Sequence, residues 1–75
     1  MSAETMAVAL FPTTQVAVRA EQLFVDEGIQ CKLIPTPRHL SATCGMALRF
    51  PAADREHVQQ VLDRAGIPCG GIHEL

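Results

Sequence analysis

The chain has 75 residues, 48% of them apolar and 19% charged, with six basic against eight acidic side chains and a formal charge of −2. That length has room for one core, so residues 1–75 are expected to form a single domain, and the apolar share argues against disorder. With no basic run and no Trp or Tyr, the electrostatic and stacking surface of a nucleic-acid binder is missing.

No segment approaches the roughly 20 apolar residues of a membrane span. Met6–Phe11 is too short for a signal-peptide core, and no Lys or Arg precedes it. The expectation is a soluble cytoplasmic protein whose residues 1–5 are disordered.

The first strand reads as Met6–Phe11, stopped by Pro12. Thr13 and Thr14 offer an N-cap for a helix in which Val16, Ala17, Ala20, Leu23 and Phe24 form one apolar stripe. Arg19, Glu21, Gln22 and Asp26 take the opposite side, and Gly28 ends the helix. Residues 29–34 read as a second strand, with Ile29, Cys31 and Leu33 on one face and Gln30 and Lys32 on the other. Two prolines and three hydroxyl residues make 35–43 a loop. Residues 45–50 alternate as a third strand stopped by Pro51. Asp54 suits the positive end of a second helix, with Val58, Val61, Leu62 and Ala65 as its buried stripe and Gly66 as its stop. Residues 67–74 form a short fourth strand, placed at an edge by Pro68.

The order β-α-β-β-α-β carries an internal echo. A shift of 38 residues aligns Ala9-Leu10 with Ala47-Leu48, Gln22 with Gln60, and Gly28-Ile29-x-Cys31 with Gly66-Ile67-x-Cys69. A ferredoxin-like α+β sandwich follows: an antiparallel four-stranded sheet with both helices on one face. The open face is expected to show Ala7, Ala9, Phe11, Lys32, Ile34, Ala47 and Arg49. A surface that apolar is a candidate for pairing with a second copy or a partner.

Three cysteines without CxxC spacing argue against a disulfide framework or a zinc knuckle, and a reducing cytoplasm would keep them as thiols. Cys31 and Cys69 occupy matching positions early in strands two and four, where a thiol packs as a small hydrophobe. Cys44 differs. Its repeat counterpart is Met6, so the symmetry does not ask for cysteine there. It lies where a polar loop meets a strand expected to be central. Thr43 and Ser41 can hydrogen-bond a thiolate, and Gly45 lets backbone come close. Arg38 and His39 would favour the thiolate if the loop folds back.

Other chemistries fit less well. His39, His57 and His73 have no metal-site spacing with the cysteines; His57 falls on the solvent side of helix two and His73 at a frayed terminus. A cysteine hydrolase lacks an evident oriented His and room for a cleft. Gly70-Gly71 opens no helix, so it forms no phosphate cradle. Metal and cofactor are expected to be absent.

The run Leu33-Ile34-Pro35-Thr36-Pro37-Arg38-x-Leu40-Ser41-x-x-Cys44-Gly45-x-Ala47-Leu48-Arg49-Phe50 resembles the signature of small bacterial proteins described as Se/S carrier-like. Ala20-Glu21-x-Leu23, Gly28-Ile29, Gly66-Ile67 and Gly71-Ile72 stand where that pattern places them, so the resemblance covers the chain from about Met6 onward. It implies a cysteine, here Cys44, that holds sulfur or selenium as a persulfide or selenopersulfide. On that view Arg38 stabilises the anionic cargo, and Thr36, Ser41, Thr43 and the Gly45 N–H solvate its terminal atom. The implied partners are a cysteine desulfurase-type donor and an acceptor enzyme, with the chain a covalent carrier and not itself an enzyme. Two rivals remain open: an adaptor module using the 35–45 loop or the open sheet face, and a redox sensor forming a sulfenic acid on Cys44.

Overall fold

The computed structural model describes residues 5–40 and 45–74. Its elements are β1 (Met6–Phe11), α1 (Thr14–Asp26), β2 (Lys32–Pro35), β3 (Met46–Pro51), a short 3-10 turn (Ala52–Asp54), α2 (Arg55–Ala65) and β4 (Gly71–Glu74). The strands form one antiparallel sheet in the order β2-β3-β1-β4, the ferredoxin-like arrangement expected from the sequence. β3 is central and β4 is an edge, both as expected from the sequence.

Local chemistry explains where the helices start and stop. Thr13 is extended, and its Oγ1 accepts the Val16 N–H at 3.2 Å, which caps α1. Both helices end on a left-handed glycine, Gly28 (φ 75°) and Gly66 (φ 67°), a conformation that costs glycine little. In each case the next residue folds back: Ile29 N–H donates to Phe24 O at 2.8 Å, and Ile67 N–H to Leu62 O at 3.1 Å. All four side chains are buried together in the core, as the Schellman motif's apolar contact demands. The repeated Gly-Ile-x-Cys is therefore a repeated helix stop. It also shortens the strands: Ile29 and Ile67 serve the caps, so β2 begins at Lys32 and β4 at Gly71.

The core lies between the helices and one sheet face. Ala17, Ala20 and Phe24 of α1 and Val58, Val61 and Leu62 of α2 pack on Ala7, Ala9, Phe11, Leu48 and Phe50. Phe24 and Phe50 meet edge to face, with ring centroids 6.1 Å apart and planes at 87°. Val16, Leu23, Cys31 and Leu33 pack at its margin. Ala65, expected in the buried stripe, is exposed, because it is the last residue of α2 and lies beyond the turn that covers the sheet. His57 is held against the other helix, its Nε2 3.1 Å from Glu27 Oε1. His73 is not at a fray but in β4, paired with Val8.

The expectation for the open face needs correction. Ala7, Ala9 and Phe11 face the helices. Val8 and Leu10 face away and cluster with Ala47, Ile34 and Leu40. Val8 and Ala47 are 0% exposed and Leu10 is 2% exposed, so this apolar strip is covered within the single chain. The surface on which a second copy was expected to pair is not offered by these residues. The expectation of disorder in residues 1–4 lies outside the described residues, while the carbonyl of Thr5 accepts the Ala52 N–H at 2.9 Å.

Candidate functional site

The sequence places its site residues in the connection between β2 and β3. That loop is anchored at its neck, where Thr36 N–H donates to Gly45 O at 3.4 Å, one step beyond the last register pair, Pro35 and Met46. It is anchored again at Leu40, whose N–H donates to Pro37 O at 3.0 Å. The Leu40 side chain packs on Val8, Leu10 and Ala47. The described part of the loop, 36–40, thus turns back over the face that the helices leave open.

Of the predicted site residues, Thr36 and Gly45 are brought together at the neck. Arg38 and His39 are exposed at the turn. Ser41, Thr43 and Cys44 lie outside the described residues. Thr36 Oγ1 is buried and has no hydrogen-bond partner among the described residues. A buried hydroxyl left unpaired costs about 1–3 kcal/mol, and such groups mark places where a partner belongs.

The tertiary fold adds a neighbour that the sequence reading missed. β1 and β3 run antiparallel with Phe11 opposite Met46, so the start of β3 lies beside the start of α1. A Cβ on Gly45 would stand 3.9 Å from Thr14 Oγ1. No acidic side chain occupies the first turn of α1, so nothing there offsets the positive end of the helix. First-turn N–H groups also lack partners within a helix. Cys44 is the residue that precedes Gly45 in the chain. The signal that could have found this was topological: in a β2-β3-β1-β4 sheet, the residue before β3 is a neighbour of the residues after β1.

The other two cysteines are half-buried at the margin of the core. Burial, reinforced by the Glu21 carboxylate, pushes the Cys31 thiol up from its ordinary value, which disfavours the reactive thiolate. The Cys69 thiol donates to Gly71 O at 3.5 Å. Among the described residues no group of three or more His, Cys, Asp or Glu side chains is arranged to hold a metal ion. No helix among them is long and apolar enough to cross a membrane.

Comparison with curated proteins and with solved structures returns no match. A family model described as "Putative Se/S carrier protein-like" matches residues 6–74, which spans the whole described fold. The chain therefore belongs to the Se/S carrier-like family.

Proposed function

We propose that the protein accepts a sulfur or selenium atom on Cys44 and hands it to a partner enzyme. The observation that carries this reading is the junction at Gly45. It abuts Thr14 at the start of α1, whose first turn carries no acidic side chain. Its carbonyl closes the loop neck beside the Thr36 hydroxyl, which is buried and has no hydrogen-bond partner among the described residues. A thiolate one residue away gains from a helix N-terminus, as low-pKa cysteines do. The same field favours the anionic terminal atom of a persulfide or selenopersulfide.

The chemistry balances without an added oxidant. The Cys44 thiolate attacks the terminal chalcogen of a donor's cysteine persulfide; the new S–S or S–Se bond forms as the donor's bond breaks, and the donor cysteine leaves as thiolate. Delivery is the reverse: an acceptor nucleophile takes the terminal atom and Cys44 departs as thiolate. Arg38, exposed on the turn, supplies a cation to the anionic cargo or to a docking partner. Thr36, Ser41, Thr43 and the Gly45 N–H are the proposed donors around it. Carrier chemistry needs no resolving thiol. It does need a site that two partners can reach in turn, and loops provide such access.

Incubation with a cysteine desulfurase and cysteine or selenocysteine, followed by intact mass measurement, tests this. One added sulfur or selenium atom should disappear in Cys44→Ser and persist in Cys31→Ser and Cys69→Ser. Adduct that persists in Cys44→Ser would overturn the assignment.

A further inference from the structure

A second chemistry lies along the sheet, away from the loop neck. In register, His73 of β4, Val8 of β1, Arg49 of β3 and Lys32 of β2 form one cross-strand row. Directly paired residues share a face, and Val8 faces away from the helices. The row therefore sets Arg49 and Lys32 side by side on the open face. They lie three residues from the Pro35–Met46 pair, about 10 Å along the strands from the loop neck.

Like charges directly opposite each other on adjacent strands destabilise a sheet. Nothing described here offsets the pair: among the described residues, the ion pair present is that of His57 with Glu27. Arg49 Nε is buried with no hydrogen-bond partner among the described residues. Lys32 and Arg49 both line a pocket of about 170 Å³, together with Met6, Gln30, Cys31 and Pro51. Its lining residues thus include an arginine, a lysine and a glutamine.

We propose that this pocket binds a small tetrahedral oxyanion of the phosphate or sulfate class. The planar fork of an arginine matches two oxygens of such an anion, and a lysine adds a point charge. A bound dianion would turn the repulsion of the Lys32–Arg49 pair into attraction and give the buried Nε–H an acceptor. A pocket of about 170 Å³ suits a small ion. The pocket stands apart from the Pro35–Met46 pair at the loop neck and does not depend on carrier chemistry.

Titration of isotope-labelled protein with inorganic phosphate, and separately with sulfate, at ionic strength held constant with chloride, tests this by NMR. Backbone amides of Gln30, Lys32 and Arg49 should shift saturably. Lys32→Gln, at an exposed position, should weaken binding about tenfold, and Arg49→Lys, which keeps the charge and removes the fork, should weaken it severalfold. Cys44→Ser should bind as the parent does, which separates this site from the carrier function. Shifts that rise linearly with anion, or that persist unchanged in both variants, would overturn the proposal.

Discussion

The Thr36 N–H and the Gly45 carbonyl, 3.4 Å apart, close the neck of the loop that contains Cys44. Beside that bond the Thr36 hydroxyl is buried and unpartnered among the described residues. Replacing an unpaired buried hydroxyl by a methyl of the same shape removes a desolvation cost. Thr36→Val should therefore melt above the parent temperature, a gain of about 1–3 kcal/mol. If the hydroxyl serves the cargo, the same variant should hold a persulfide on Cys44 for less time. Loss of stability in the thermal melt would show that the hydroxyl already has a structural partner.

Gln15 is exposed in the first turn of α1. Placing a carboxylate there has opposite consequences for fold and site. Gln15→Glu should stabilise the helix by about 0.3–1 kcal/mol through the dipole. It should also slow alkylation of Cys44 at neutral pH severalfold, because a negative charge opposes a nearby thiolate. A rate unchanged by the substitution would mean that the α1 N-terminus does not act on Cys44.

Cys31 gives a pH dependence with a defined sign. Burial and Glu21 hold its folded-state pKa above the ordinary value of 9.0. The unfolded chain thus releases the proton first. The thiol's contribution to stability is complete below that ordinary value and is lost as pH rises through the raised folded value. Urea midpoints should fall on the alkaline side, and fall less in Cys31→Ala. An equal alkaline loss in the variant would assign the effect elsewhere.

The Phe24–Phe50 contact joins α1 to the central strand, and both rings are 0% exposed. Phe24→Ala should cost about 3–5 kcal/mol, comparable to the whole stability of a small domain. Circular dichroism at room temperature should show a largely unfolded chain, while Phe24→Leu should keep a cooperative melt at lower temperature.

The two helix starts should respond differently. Thr13 makes a side-chain cap bond to Val16 N–H, whereas Asp54 makes none to α2. Thr13→Ala is expected to cost about 1 kcal/mol. Asp54→Ala should cost about half that or less, since only a charge–dipole term is lost. Chemical denaturation of the two variants side by side checks the order.

Much of this was legible in the sequence because it depends on short-range chemistry. The stripe Ala17, Ala20, Phe24, the caps at Thr13, Gly28 and Gly66, and the stops at Pro12 and Pro51 are set by residues a few positions apart. The family was legible as well: the resemblance read from about Met6 onward agrees with the family model that matches residues 6–74.

The facing of β1 was not legible. Ala7 to Phe11 is apolar at every position, so alternation gives no phase; both faces of a central strand can be buried. The internal repeat misled on this point. It aligns Ala9 with Ala47, yet Ala9 faces the helices and Ala47 faces away. The repeat is in phase at the helix stops, where backbone geometry demands the same residues, and out of phase in the strands.

The sequence alone sets Cys44 apart from Cys31 and Cys69, by its loop, its motif and its lack of a cysteine at the repeat position. Only the tertiary structure decided what lies around that loop. The antiparallel pairing of β1 with β3 brings Gly45 to Thr14 across 31 residues of chain, and the turn at Leu40 folds the loop over Val8 and Leu10. Contacts of that kind follow from strand order and register, which the sum of many weak packing terms fixes and no local pattern records.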